Sequence, residues 1–198
     1  LPGSRGNEIR FMGATFLAVV TLLCQRHPGL QVVIPAATAQ RHRELAELLS
    51  GYPALHPSVT LLDGQAREAM VASDAVLLTS GTAALEAMLC HRAMVVAYKM
   101  APATHWLAQR LVKTAWISLP NLIAQESVVP ELIQHAASPE AIALQVGELL
   151  EDASTRQALE ERFAAMHAAL QRNASQRAAQ AVAALAAGQP LEAVTDGH

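Results

Sequence analysis

The 198-residue sequence contains few cysteines, few aromatic residues and little excess charge. Its two thiols, Cys24 and Cys90, lie in apolar runs without metal-ligand or redox spacing, so we expect buried thiols in a reducing, cytoplasmic compartment. An aromatic content of 4% beside abundant alanine is typical of packed helices and excludes an all-β sandwich. A formal net charge of -3 supplies no basic field, which excludes nucleic acid as a partner but allows a small anionic ligand.

Long hydrophobic runs are missing as well. The longest apolar stretch, Phe11 to Cys24, is shorter than the ~20 residues of a membrane-spanning helix, so we predict a buried helix there. No basic region with a cleavage site opens the chain, so no secretory signal is predicted. The sequence starts at Leu1 with a loop that enters a helix without a preceding strand. We therefore expect a fragment whose amino-terminal half is absent.

Strand and helix patterns alternate along most of the chain. Short, uniformly apolar runs rich in β-branched residues are typical of strands that helices cover on both faces. The alternation predicts an α/β fold with a Rossmann-like, doubly wound parallel sheet. Asn7 is expected to cap the first helix. Strands are predicted at 31–35, 59–62, 75–79, 94–97 and 116–117, and helices at 8–26, 38–49 and 83–89, with others ending near 73 and starting near 102.

Only helices are predicted after residue 137. Ser138 and Asp152 stand where they can cap two of them, and an alanine-rich run from Ser175 to Ala187 predicts the last. Residues 138–187 are thus expected to be helical and residues 188–198 to form a flexible tail. Because no repeat or interdomain linker interrupts the pattern, residues 1–198 are expected to form a single domain.

Two short loops carry the composition of a phosphate-binding site. Gly3-Ser4-Arg5-Gly6 and Ser80-Gly81-Thr82 each open a predicted helix, and glycine lets the backbone approach an anion. Arg5 adds a planar cation that suits phosphate oxygens. Each loop alone also fits an ordinary tight turn, and neither matches the dinucleotide or P-loop patterns. The two together favour an anion site at the carboxyl end of the sheet.

Glu86 stands four residues after Thr82 on the same predicted helix, so its carboxylate shares a face with the helix start. At that position it can accept hydrogen bonds from two ribose hydroxyls, or it can be an ordinary solvated glutamate. Asp63 adjoins Gly64, which favours a turn-forming role over a ligand contact. The eight histidines form no i, i+4 pair with acidic neighbours, so no metal site is predicted.

Several ordered motifs resemble the lipid-A-disaccharide synthases, which are inverting GT-B glycosyltransferases of Gram-negative bacteria. The resemblance runs across nearly the whole chain in sequence and spacing. The motifs are Leu1-Pro2-Gly3-Ser4-Arg5, Leu61-Leu62-Asp63-Gly64, Arg67-Glu68-Ala69-Met70-Val71-Ala72-Ser73-Asp74-Ala75, Ser80-Gly81-Thr82-Ala83-Ala84-Leu85-Glu86, Arg110-Leu111-Val112-Lys113-Thr114 and Ser118-Leu119-Pro120-Asn121-Leu122.

The resemblance implies the carboxyl-terminal, UDP-binding portion of a hexosyltransferase. Such an enzyme joins UDP-2,3-diacylglucosamine to 2,3-diacylglucosamine 1-phosphate without a cofactor, giving lipid A disaccharide phosphate and UDP. The catalytic carboxylate is expected in the absent half, so a fragment alone is expected to be inactive. The donor contacts that the resemblance implies are Gly3, Ser4 and Arg5 for the pyrophosphate, Ser80, Gly81, Thr82 and Ala83 for a second phosphate cradle, Glu86 for ribose, Leu62, Asp63 and Gly64 for uracil, and Asn121 for sugar or phosphate.

Two other interpretations stay open. A UDP-N-acetylglucosamine epimerase or a peptidoglycan glycosyltransferase would share the helix-start phosphate site and the ribose-binding glutamate. A noncatalytic nucleotide-binding module would share the fold without the chemistry. The resemblance also leaves open a homodimer and peripheral contact with the cytoplasmic face of the inner membrane.

Overall fold

A computed structural model of the chain describes residues 1–79, 81–101, 114–171 and 173–187. Helices and strands alternate over the first two thirds, and helices follow. The helices are α1 Gly6–Arg26, α2 Ala39–Ser50, α3 Ala66–Ala72, α4 Thr82–Leu89, α5 Leu119–Ala124, α6 Pro139–Glu151, α7 Ala153–Leu170 and α8 Ala174–Ala186. The strands are β1 Val32–Ala36, β2 Val59–Asp63, β3 Val76–Leu78, β4 Met94–Tyr98 and β5 Glu131–Ile133, and short 3-10 turns cover Pro53–Leu55 and Gln134–Ala136.

All strand pairs are parallel, which confirms the predicted α/β class. Strand β1 pairs with β2, with Val32 opposite Val59. Strands β3, β4 and β5 pair in that order, with Val76 opposite Met94 and Val96 opposite Glu131. Parallel strands bring their carboxyl ends to one edge, so the loops that start helices α1, α3 and α4 all begin from that edge.

Helix α1 contributes to two hydrophobic clusters of the core. Its residues Met12 and Phe16 pack in one cluster with alternate residues of β4 and with the apolar face of α6. Ile9 and Leu17 pack in the other cluster with β1, β2 and α2. Because Met94 and Val96 of β4 are buried too, both faces of that strand are covered, as a doubly wound sheet requires.

By length and composition alone, α1 could cross a membrane, and it is the one such helix among the described residues. Half of its most apolar window is buried against the rest of the fold. The buried residues include Met12 and Val19, each with no exposed area. In this fold α1 is a core helix, as the sequence predicted.

Two local predictions from the sequence are wrong, and one strand was not predicted. Residues 116–117 form no strand, because Ile117 donates its N–H to the Glu131 carboxylate rather than to a neighbouring strand. Strand β5 pairs with β4, and its three residues are too short a run for periodicity to detect. Cys24 and Cys90 are free thiols that are only partly buried.

The start of α1 also differs from expectation. The helix begins at Gly6 with Arg5 as its N-cap, so Asn7 lies inside the helix and does not cap it. The Glu8 carboxylate accepts the Arg5 N–H and replaces the expected cap. The predicted helix near 102, the predicted tail 188–198 and Ser80 lie outside the described residues.

The carboxyl-terminal helices begin where capping residues place them. Ser138 Oγ accepts the Ala141 N–H at 3.1 Å, and Asp152 Oδ1 accepts the Ser154 and Thr155 N–H groups at 2.9 and 3.1 Å. Hydrogen bonds from Ser154 and Thr155 lower the pKa of the Asp152 carboxyl. Both predicted caps are therefore confirmed.

Two compact units divide the chain, and the boundary falls within α7. The first comprises Leu1–Ala164 and holds the five strands that the described residues form. The second begins at Ala165, with the last residues of α7 and helix α8. The single-domain assignment of residues 1–198 stays a prediction.

Leu1 occupies a strand position in the first unit. Its amino group donates to the Leu77 carbonyl at 2.7 Å, and its carbonyl accepts the Thr79 N–H at 3.2 Å. This pair of bonds around Leu78 is the pattern of a parallel bridge. Leu1 therefore lies beside β3, at the end of a cleft between β1 and β3.

We predict that the Leu1 amino group makes the free energy of unfolding rise with pH between about 5 and 8. Burial lowers its pKa in the folded chain from 8.0 to about 5. In that pH window the unfolded chain binds one more proton than the folded chain, so raising the pH favours folding. Three pKa units correspond to at most ~4 kcal/mol. Urea unfolding at several pH values measures the slope.

The matched control is the same chain acetylated at its amino terminus, which has no ammonium to titrate. Its stability should change less over the same window, and the difference between the two profiles isolates the Leu1 contribution. Parallel profiles for the two forms would contradict the prediction.

Candidate functional site

The loop before α1 is held by one buried carboxylate. Glu8 Oε2 accepts the N–H groups of Ser4 and Arg5 at 2.9 and 3.1 Å. Glu8 Oε1 lies 3.2 Å from Arg5 Nη1. Only 9% of the Glu8 side chain is exposed, compared with 82% for Arg5. The carboxylate thus fixes the loop backbone, while the Arg5 guanidinium reaches into solvent where an anion can meet it.

Gly3 is required by the same arrangement. Its φ of 111° lies in the region that favours glycine. A Cβ at this position would overlap Glu8 Cβ and Oε2. The close approach of the loop backbone to Glu8 is therefore possible only without a side chain at residue 3.

A second guanidinium lies beside the first turn of α1. Arg41, from α2, is buried, and its Nη1 would collide with a side chain at Gly6. Arg41 Nη2 pairs with Glu44 Oε1 at 2.7 Å. Because the first N–H groups of a helix have no partner within it, this cation reinforces the positive end of α1.

The second helix start lies at α4. Gly81 is its N-cap with a φ of 114°, and Thr82 is exposed in the first turn. The bridge between Leu1 and β3 places this loop next to the Gly3–Arg5 loop, since both follow neighbouring strand positions at the same sheet edge. The structure therefore places the described residues of the two predicted phosphate loops, Gly3–Arg5 and Gly81–Thr82, at the same edge of the sheet.

Glu86 is exposed one turn farther along α4 than Thr82. Residues four apart share a helix face, so the carboxylate lies on the same side as the Thr82 hydroxyl. Ala83 follows in the first turn and is partly buried. The arrangement leaves the carboxylate accessible to a ligand held at the helix start.

The segment after β2 forms a separate part of the edge. Gly64 donates its N–H to the Ala36 carbonyl at 2.8 Å and has a φ of 67°. Asp63 Oδ1 lies 2.6 Å from His42 Nδ1 of α2. Asp63 thus forms a side-chain pair that sequence spacing did not predict, because 21 residues separate the partners.

Asn121 is placed differently from the other predicted residues. Its side chain is fully buried, and its Oδ1 accepts the N–H groups of Val128 and Val129 at 2.8 and 2.9 Å. Its Nδ2 donates to the Val129 carbonyl and to Glu131 Oε1. These four bonds use the complete hydrogen-bonding capacity of the amide. The residue thus organises its own loop, and its contact with a donor sugar stays a prediction.

Glu131 links this loop to β5. Its carboxylate accepts the Ile117 N–H at 2.8 Å, and the N–H and hydroxyl of Ser118 at 2.9 and 2.6 Å. Because the Asn121 amide joins the same carboxylate, the segment from 117 to 129 is built around one ionisable group. Sequence analysis missed both Glu131 and Glu8, although Glu8 stands at the N3 position of a capping-box pattern.

Among the described residues, no group of three or more His, Cys, Asp and Glu side chains could hold a metal ion. The chemistry that the assembled groups support is anion binding. It combines an exposed guanidinium, two adjacent helix starts and an accessible carboxylate one turn away. This set suits a ligand with both phosphate and hydroxyl groups.

Comparison with known proteins supplies the family. The model of the family described as lipid-A-disaccharide synthetase matches residues 1–184. The lipid-A-disaccharide synthase of Chromohalobacter salexigens is 65% identical over 185 residues, which cover 93% of this chain and 48% of that protein. The enzyme of the same name from Klebsiella pneumoniae is 50% identical over 186 residues, covering 94% and 48%. The chain thus spans about half the length of the curated relatives it matches.

We predict that Gly3→Ala destabilises the chain more than Gly81→Ala does. The two glycines have φ values of 111° and 114°, so the backbone strain of an alanine is similar. Only at Gly3 would the new Cβ meet Glu8, whereas at Gly81 no atom of the described residues lies within 4 Å of it. Overpacking of this kind costs ~1–3 kcal/mol. Urea unfolding of both variants measures the difference, and equal losses would contradict the role of the Gly3–Glu8 contact.

Proposed function

The chain belongs to the lipid-A-disaccharide synthetase family, and from this premise we propose that it is the donor-binding half of a hexosyltransferase. The donor is UDP-2,3-diacylglucosamine, and the acceptor is 2,3-diacylglucosamine 1-phosphate. Transfer gives lipid A disaccharide phosphate and UDP. The observation that carries the proposal is the adjacency of the two helix starts, which the Leu1 bridge to β3 sets side by side.

The diphosphate of UDP has two sites of attachment in this proposal. Arg5, with its exposed planar fork, contacts the pyrophosphate beside the start of α1. The amides of Gly81, Thr82 and Ala83 form the second cradle at the start of α4, together with Ser80. The N–H groups of Ser4 and Arg5 are both donated to Glu8, so the backbone donors for the first phosphate come from Gly6 onward, in the first turn of α1.

The same placement of the loops assigns contacts to the ribose and the uracil of the nucleoside. Glu86 accepts the ribose hydroxyls, one turn behind the Thr82 cradle. The backbone of Leu62, Asp63 and Gly64 faces the uracil, at the edge of the sheet where β2 ends. Asn121 lies toward the sugar or phosphate of the donor, in the loop whose backbone N–H groups its side chain binds. The Arg5 guanidinium at one end and the Glu86 carboxylate at the other orient the nucleotide, with its diphosphate at Arg5 and its ribose at Glu86.

The acceptor and the general base belong to the part of the relatives that this chain does not match. An acceptor hydroxyl must be held within reach of the donor carbon beside a suitable base. The helix starts supply only the stabilisation of the leaving diphosphate. We place the reaction at the cytoplasmic face of the inner membrane, where a lipid acceptor would be presented. A homodimer and peripheral membrane contact stay predictions.

We predict that the chain binds UDP in preference to ADP and NAD, and that Glu86→Ala weakens UDP binding by ~1.5–3 kcal/mol, about 10- to 150-fold. The loss follows from removing a charged acceptor of ribose hydroxyl groups. Isothermal titration calorimetry measures both effects. The matched control is Glu140→Ala, because Glu140 is also exposed on a helix but lies in the first turn of α6.

Glu140→Ala should leave UDP affinity unchanged. Unchanged affinity in Glu86→Ala would remove the ribose role from Glu86. Equal affinities for the three nucleotides would contradict a uridine site altogether.

We predict that the chain alone binds UDP but forms no disaccharide from UDP-diacylglucosamine and the lipid acceptor. Joining it to the amino-terminal half of the Chromohalobacter salexigens relative should give activity, because that half would supply the acceptor site and the base. Product formation is followed with labelled acceptor. Disaccharide made by the chain alone would contradict this division of roles, and UDP binding without activity in the joined protein would favour a noncatalytic module.

A further inference from the structure

Arg41 is the one buried side chain among the lysines and arginines that the structure describes, with 9% of the residue exposed. It lies in the first turn of α2, where its backbone N–H donates to Thr38 Oγ1 at 3.2 Å. Helix α2 follows β1, so this turn begins at the same edge of the sheet as the loop before α1. The fold thereby brings a buried guanidinium to the edge that carries the proposed donor site.

The Arg41 guanidinium packs against Gly6, the first residue of α1. Its Cζ lies 3.4 Å from the position that a Cβ on Gly6 would occupy, and its Nη1 is closer still. Gly6 is helical, a conformation that most residues adopt. The space that Arg41 occupies, rather than the backbone conformation, is therefore what excludes a side chain at residue 6.

Three donor groups at this end of α1 have no partner among the described residues. The backbone N–H groups of Gly6 and Asn7 make no hydrogen bond there. Within the same part of the chain, Arg41 Nη1 makes none either. Two amides and a cationic nitrogen at one helix start are suited to the oxygens of an anion.

The charge of Arg41 is only partly balanced by its protein partner. Its Nη2 pairs with Glu44 Oε1 at 2.7 Å, but 35% of the Glu44 side chain is exposed, compared with 11% for Arg41. The same carboxylate oxygen also accepts a hydrogen bond from Gln40 Nε2. Burial of a charge is costly unless the charge is well paired. An anion at the start of α1 would complete the balance.

We propose that Arg41 is a second cation for the diphosphate of the donor, an assignment that rests on the proposed donor site. Glu44 holds Nη2, so the planar guanidinium presents Nη1 to phosphate oxygens beside the Gly6 N–H. Arg5 contacts the same diphosphate with a side chain that is 82% exposed. The diphosphate thus meets one guanidinium that the fold holds in place and one that reaches in from solvent.

The test compares Arg41→Gln with Arg43→Gln in isothermal titrations with UDP and with uridine. Arg43 is exposed two residues farther along α2, so its variant changes the net charge equally on another face of the helix. Arg41→Gln should bind UDP at least about tenfold more weakly, and uridine within about twofold of the parent, because a hydrogen bond to a charged group is lost. Arg43→Gln should bind both ligands like the parent. Unchanged UDP affinity in Arg41→Gln, or an equal loss for uridine, would overturn the proposal.

Glu44 distinguishes ligand binding from a purely structural role of the ion pair. Glu44→Gln removes the charge pair but leaves an amide oxygen that can accept the Nη2 bond. If Arg41 acts on the diphosphate, this variant should bind UDP at least as tightly as the parent, because an opposing negative charge is gone. Weaker UDP binding in both Glu44→Gln and Arg41→Gln, by similar factors, would show a structural role and overturn the proposal.

Arg41→Lys is the second variant, for the case in which Arg41→Gln does not fold. A lysine keeps the ion pair with Glu44 but has a single nitrogen, so it cannot serve the carboxylate and the phosphate together. Its affinity for UDP should fall at least about threefold, because one charge-assisted hydrogen bond is lost. Parental affinity in this variant would also overturn the proposal.

Inorganic pyrophosphate, titrated into the same variants, separates this proposal from that of the donor site. A parent chain that binds pyrophosphate but not UDP would contradict the uridine site, and the same order of variants toward pyrophosphate would still support Arg41. A parent chain that binds neither would overturn both proposals. A parent that binds UDP with no loss in Arg41→Gln would overturn only the role of Arg41.

Discussion

The packing of α1 against both parts of the sheet is the constraint on which the rest of this structure depends. The helix carries adjoining apolar stripes, one buried against β4 and α6 and the other against β1, β2 and α2. Hydrophobic burial on this scale fixes the position of the helix axis. The position of its amino terminus, and so of the Arg5 loop, follows from that packing rather than from the loop itself.

Local polar contacts then fix the conformation of the loops whose positions this packing determines. Glu8 takes the N–H groups of Ser4 and Arg5, and Gly3 leaves room for it. Glu131 does the same for the segment around Asn121. In both places a partly or fully buried carboxylate satisfies several backbone donors, and such charge-assisted bonds are stronger than neutral ones. The loops of the site are therefore shaped by residues that need not touch a ligand.

Much of the fold and part of the site could be predicted from the sequence. The apolar runs of β1, β2, β3 and β4 and the caps at Ser138 and Asp152 are local patterns, and local physics decides them. The strand at Glu131–Ile133 could not be found, because three residues carry no periodicity and only the open edge of β4 makes them a strand. Residues 116–117 show the opposite error. They are apolar and were predicted as a strand, but the Ile117 N–H bonds to the Glu131 carboxylate instead of to a strand.

The sequence by itself determined the α/β class, the two helix-start loops and, through its ordered motifs, the family. Only the tertiary structure decided that Asp63 contacts His42 and that Arg41 lies against Gly6. It also decided that the Asn121 side chain uses its hydrogen bonds within its own loop, and that Leu1 forms a bridge to β3. The physical reason is that strand and helix patterns depend on neighbours in sequence, whereas these contacts join residues that only the packing of the whole sheet brings together.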